Sequence, residues 1–136
     1  MKLFLISLLS LVISFSIKAQ EEDPTLNDFF DKADAFFDRY TNKGLVHYEA
    51  VKNNHDDIKE LVEMIEVMDL TNSSEDEKIA FAINTYNLLV IYQVKENLPI
   101  KSVTEVKGFF DKEKFEISGE KYTLNEFESK VLFGKY

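Results

Sequence analysis

Cysteine is absent from all 136 residues of this chain. That excludes a disulfide framework, a thiol nucleophile and any thiolate metal ligand within the sequence. Histidine is nearly absent as well. His47 and His55 are the only two, no second ligand lies at a sensible spacing from either, and a multi-histidine metal site is therefore not expected. Both read as surface or boundary residues. Basic residues are outnumbered, with 16 Lys and Arg against 25 Asp and Glu and a net charge of −9. Cleaving the N-terminal segment described next would remove Lys2 and Lys18 and make the balance more negative. Such a surface repels phosphate backbones and anionic membranes, so nucleic acid is not an expected partner. No cofactor motif is present, and neither a cofactor nor a metal is expected.

A long apolar run is also missing. The longest such stretch, Leu3 to Ile17, is short of the roughly 20 residues a membrane-spanning helix needs. It follows Lys2, and Ile17-Lys18-Ala19 ends on a small residue before the polar run Gln20-Glu21-Glu22-Asp23. This pattern predicts a secretory signal peptide over residues 1–19, cleaved after Ala19, and hence an exported protein, periplasmic or extracellular. With no cysteine at the cleavage point, a lipid anchor there is excluded. Residues 20–136 are then expected to form a single α+β domain with one core and no integral membrane segment.

What is present is helical periodicity. Thr25 and Asp28 have the spacing of a capping box, and Leu26, Phe29, Phe30, Ala33, Phe36, Phe37 and Tyr40 recur on one helical face. Asn42-Lys43-Gly44 reads as the stop. Leu45 to Tyr48 reads as a short extended piece. Asn54 is positioned to cap a second helix, whose buried stripe is Ile58, Leu61, Val62, Ile65 and Met68.

Ser74 and Glu77 open a third helix, predicted from Glu75 to Asn97, and Pro99 ends it. Its middle is apolar nearly all round, which places it at the centre of the domain. Ser102 and Glu105 repeat the capping spacing over a short turn. Phe115, Ile117 and Tyr122 flank Ser118-Gly119 as a β-hairpin. Thr123 and Glu126 open a last helix, Leu124 to Leu132, with Phe127 and Val131 inward. The fold class is therefore α+β: a mainly helical core with a short extended segment and one β-hairpin, preceded by a signal peptide.

Several stretches in this order resemble one family. They are GLVHYEAVK (44–52), EDEKIAFAINTYNLLVI (75–91), LPIKSV (98–103), GFFDKEKFEISGEKYTLNEFE (108–128) and VLFGKY (131–136). Together they are similar to the bacterial "domain of unknown function 547" family. The resemblance implies an exported or envelope-associated protein of undefined biochemical role. It also implies a further segment carrying histidine and cysteine beyond the equivalent of FGKY, so that the domain would be incomplete at its C-terminus here. Two departures are visible. The family usually has tryptophan where this chain has Ala82, and usually Asp or Asn at His47, which makes His47 a poor candidate for an essential base.

The candidate site residues are polar groups in the third helix. Asn84 and Asn87 stand three apart on one helical face, with Tyr86 beside them. One reading makes them a polar cluster that orients a substrate or a catalytic group. The other has the amides tying neighbouring loop backbone to a buried helix. Asp111, Glu113 and Glu116, set among Lys112 and Lys114, read as solvated charge. Phe109 and Phe110 read as loop anchors into the core, and the abundance of phenylalanine is accounted for by packing.

Three functional readings follow, of which a small-ligand carrier using the aromatic-rich interior is the weakest. The first is a binding or scaffold module whose partner is unknown, with an envelope protein as one candidate. The second is part of a cysteine-dependent hydrolase or acyl-transfer enzyme whose nucleophile lies beyond residue 136, with this chain inactive alone.

Overall fold

The computed structural model describes residues 23–134. The expected signal peptide lies outside the described residues. Five helices and two small antiparallel hairpins make the fold α+β.

Helix α1 (Leu26–Tyr40) begins in the capping box read from the sequence. The Thr25 hydroxyl accepts from the Asp28 amide, and the Asp28 carboxylate accepts from the Thr25 amide. Its buried face is Phe29, Ala33, Phe36 and Tyr40. The chain then turns back on itself. Strands β1 (Thr41–Asn42) and β2 (Leu45–Val46) pair around Lys43 and Gly44, which both have positive φ, at 50° and 77°. Asn42-Lys43-Gly44 is thus a hairpin turn rather than a simple helix stop, and the fold carries two hairpins where the sequence suggested one. Two successive left-handed residues match the twist of paired strands, a role glycine fills without strain.

The extended piece ends earlier than expected. His47 donates its amide to the Tyr40 carbonyl at 2.8 Å, and Tyr48 already opens helix α2 (Tyr48–Asn53), which buries Val51. Helix α3 (His55–Val67) follows after one residue. Asn54 does not cap it. Its side-chain amide turns backwards and donates to the Ala50 carbonyl at 2.8 Å. The buried stripe of α3 is Ile58, Leu61, Met64 and Ile65, with Met68 just beyond.

Helix α4 (Glu75–Glu96) starts in the expected Ser74–Glu77 capping box and is central to the core. The Phe81 ring packs on Phe29 at 4.9 Å between centroids. After a 3-10 turn (Val103–Glu105), strands β3 (Phe115–Ile117) and β4 (Glu120–Tyr122) form the expected hairpin, turning through Ser118 and Gly119, both at positive φ. This turn docks on α3. The Ser118 and Gly119 amides donate to the Ile65 and Glu66 carbonyls at 2.9 and 3.0 Å, satisfying groups that the end of a helix leaves open.

Helix α5 (Leu124–Phe127) again starts in the expected capping box, formed by Thr123 and Glu126. The last helix is not α-helical throughout. Glu128–Leu132 is a π-helical turn, closed by the Phe133 amide donating to the Glu128 carbonyl. Leu124 and Phe127 face inward, while Val131 is only partly covered.

Candidate functional site

Helix α4 is not covered all round. Ile79 is half-buried and Ile83 is 49% exposed, because no described element crosses that face. Beside it lies a groove of about 790 Å³. One wall is α4, with Ile79, Ala82 and Ile83 spaced to lie along one side of the helix. The second wall is the β3–β4 hairpin, through Ile117, Ser118 and Tyr122. The third is the C-terminal segment, with Phe127, Val131, Leu132 and Phe133. Phe133 is itself 68% exposed. The small side chain of Ala82 leaves room in this wall.

The charges at the groove are matched among themselves. Lys78 pairs with Glu75 at 3.0 Å, Lys130 approaches Glu126 at 3.7 Å, and the Tyr122 hydroxyl donates to Glu120. With those groups satisfied, the groove's recognition content is its apolar floor. One polar atom breaks that floor: the Ser118 hydroxyl is buried and has no hydrogen-bond partner. A largely apolar concavity with one or two placed polar groups has the character of a ligand- or partner-binding site. The irregular π-turn in its wall is a feature often found beside sites.

The residues singled out in the sequence are not gathered into one cluster. Asn84 is partly buried, and its side-chain amide donates to the Ala80 carbonyl of its own helix at 2.9 Å. Asn87 is exposed. Tyr86 is half-buried. Burial first, then the nearby Glu128 carboxylate, push its phenol above the ordinary value. No hydrogen bond joins these three, and neither asparagine ties a loop to the helix. Glu113 and Glu116 are exposed, and Asp111 accepts from the Asn125 amide. Phe109 is buried, with Phe110 against it in an edge contact of 4.8 Å.

Sequence reasoning passed over the polar groups that do work at the core. Gln93 ties the following loop to α4, its amide donating to the Phe109 carbonyl at 2.7 Å. Lys95 is only 5% exposed. Its ammonium donates to His55 Nδ1 at 2.6 Å and to the Glu96 carboxylate, and lies 4.5 Å from the centre of the Tyr92 ring. A buried ammonium is tolerable when its donors are occupied in this way. The available signal was the one that drew attention to the asparagines, a polar residue on the apolar face of α4. Among the described residues, no cluster of three or more His, Asp or Glu side chains is placed to hold a metal ion, and no helix is long and apolar enough to cross a membrane.

Residues 70–136 match the family model described as "Protein of unknown function, DUF547". The family read from the sequence is therefore present over that segment, and every lining residue of the groove lies within it. No curated protein and no solved structure matches the chain. The role of the matched segment is undefined, and neither the match nor the geometry supports the cysteine-dependent alternative.

Proposed function

We propose, taking a DUF547 segment over residues 70–136 as the premise, that this chain is an exported binding module of the bacterial envelope. In this reading residues 1–19 are its cleaved signal peptide, residues 20–136 act as one domain, and the groove takes an apolar side-chain cluster presented by an envelope protein. The observation that carries the reading is the groove itself. It exposes Ile83 and Phe133 beside an apolar floor, while its neighbouring charges are already paired. Adjacent exposed apolar residues of this kind mark interaction surfaces. The net charge of −9 for the full chain, more negative still once Lys2 and Lys18 are removed, fits a soluble module.

The test has two arms. Expressed with its own N-terminus in a bacterial host, the protein should be recovered outside the cytoplasm with Gln20 as its first residue. Recovery in the cytoplasm with Met1 retained would remove the export part of the reading. For the groove, peptides selected from a displayed library against the chain should carry apolar anchors. Ile83→Glu should weaken their binding about tenfold or more, while changing stability by no more than about 0.5 kcal/mol, because the residue is half-exposed. Selected peptides that bind Ile83→Glu as well as the parent would sink the assignment of the groove.

A further inference from the structure

A second cavity, of about 420 Å³, lies at the C-terminal end of α4 and shares no lining residue with the groove. Its helix side is Tyr92, Gln93, Glu96 and Asn97. Its loop side includes Lys107, Lys112 and Glu113. Gln93 is 7% exposed. Because its amide nitrogen donates to the Phe109 carbonyl, the amide cannot be flipped without setting two oxygens against each other. Oε1 is thereby left buried and without a donor. A buried acceptor in that condition calls for a missing partner.

The surroundings specify the partner's charge. The pocket sits at the negative end of a 22-residue helix. Beyond burial, the carboxylates of Glu96, Glu66 and Glu113 push the Tyr92 phenol up, with Lys59 opposing them, so this side of the pocket is electronegative. Glu96 is already engaged by Lys95, but none of the described ion pairs involves Glu113, Lys107 or Lys112. The helix side therefore favours a cationic donor, while the loop side offers two ammonium groups together with the Glu113 carboxylate.

We propose that this pocket binds a small zwitterion of the free amino acid class. Its ammonium donates to Gln93 Oε1 and its carboxylate meets Lys107 and Lys112. Lys107, Lys112 and Glu113 line this pocket and are exposed.

The test is an NMR titration of the full chain. Glycine and alanine are the probes, with acetate and ethylammonium as single-charge controls. The amino acids should give saturable shifts of the Gln93 side-chain NH2 and the Lys112 backbone amide. The two controls should bind at least about tenfold more weakly. Lys112→Ala and Lys107→Ala are exposed-site changes that should leave the melting temperature in place, and each should weaken alanine binding by about tenfold. Three outcomes overturn the proposal. Absence of saturable shifts leaves water as the partner of Gln93. Equal binding of acetate reduces the site to a lysine patch. Undiminished alanine binding in both lysine variants removes the loop side.

Discussion

Tyr40 lies almost wholly buried on α1, yet its hydroxyl donates to Asp57 at 2.6 Å, and Arg39 donates to the same carboxylate oxygen at 2.8 Å. The Tyr40 hydrogen bond, with Arg39 adding to it, holds the Asp57 carboxyl below its ordinary range. A carboxyl whose folded-state pKa is depressed stabilises the fold above its unfolded value of about 3.9, and that stability is lost as pH falls through the folded value. Tyr40→Phe removes the largest cause. It should cost about 1 kcal/mol in urea unfolding near neutral pH, a modest figure because Asp57 is partly exposed. The gap to the parent should close as pH falls through and below the ordinary carboxylate range. A gap that stays constant through that range would show that Tyr40 acts through packing alone. The inward face of Tyr40 was legible from the spacing of apolar residues in α1. Its acid partner was not, because Asp57 sits 17 positions away on α3 and no local pattern joins the two. The same limit applied to Asn84 and Asn87, where spacing indicated a shared face but not that Asn84 would bond back to its own helix.

Element boundaries were best read where side chain and backbone interact over three residues. The boxes Thr25–Asp28, Ser74–Glu77 and Thr123–Glu126 all form as their spacing required. Ser102 is different. It accepts from Thr104, and Glu105 accepts from the Lys101 amide, so the same spacing yields only a 3-10 turn. Helix α2 was missed because a six-residue helix presents too little periodicity against the β-branched and aromatic residues around it. The joint between α3 and α4 depended on a buried lysine that no pattern marks. There the two partners should respond unequally to substitution. His55→Leu leaves the Lys95 ammonium buried with one acceptor fewer and should cost about 1–3 kcal/mol. Lys95→Met keeps an unbranched stem against Tyr92, returns Glu96 to water, and should cost less than about 1 kcal/mol or stabilise. Thermal unfolding of both variants checks the order, and a larger loss for Lys95→Met would show that the ammonium contributes net stability.

At the scale of the whole molecule, the family match begins at Leu70, yet the core does not divide there. Phe81 of α4 lies against Phe29 of α1, the β3–β4 turn donates to the last carbonyls of α3, and Lys95 at the far end of α4 reaches His55. All three contacts cross from the matched segment to residues before it. Helices α1 to α3 therefore act as a cover that buries one side of α4, while the groove opens within the matched segment. This also accounts for what the all-round apolar character of α4 failed to convey. It indicated burial, and on the side of α1 and α3 burial is complete, but a helix apolar on every side gives no sign of which side stays open. Residues 70–136 alone would lose Phe29, Ile58, Leu61 and Ile65 from the core at once. A chain of that length has little surplus stability from which to absorb such a loss. Expressed by itself, the matched segment should show no cooperative thermal transition and should bind an apolar dye strongly. The longer chain should melt cooperatively, with any dye binding confined to the groove and reduced by Ile83→Glu. A cooperative transition in residues 70–136 alone would mean that the matched segment is a self-sufficient unit, and that α1 to α3 serve something other than its core.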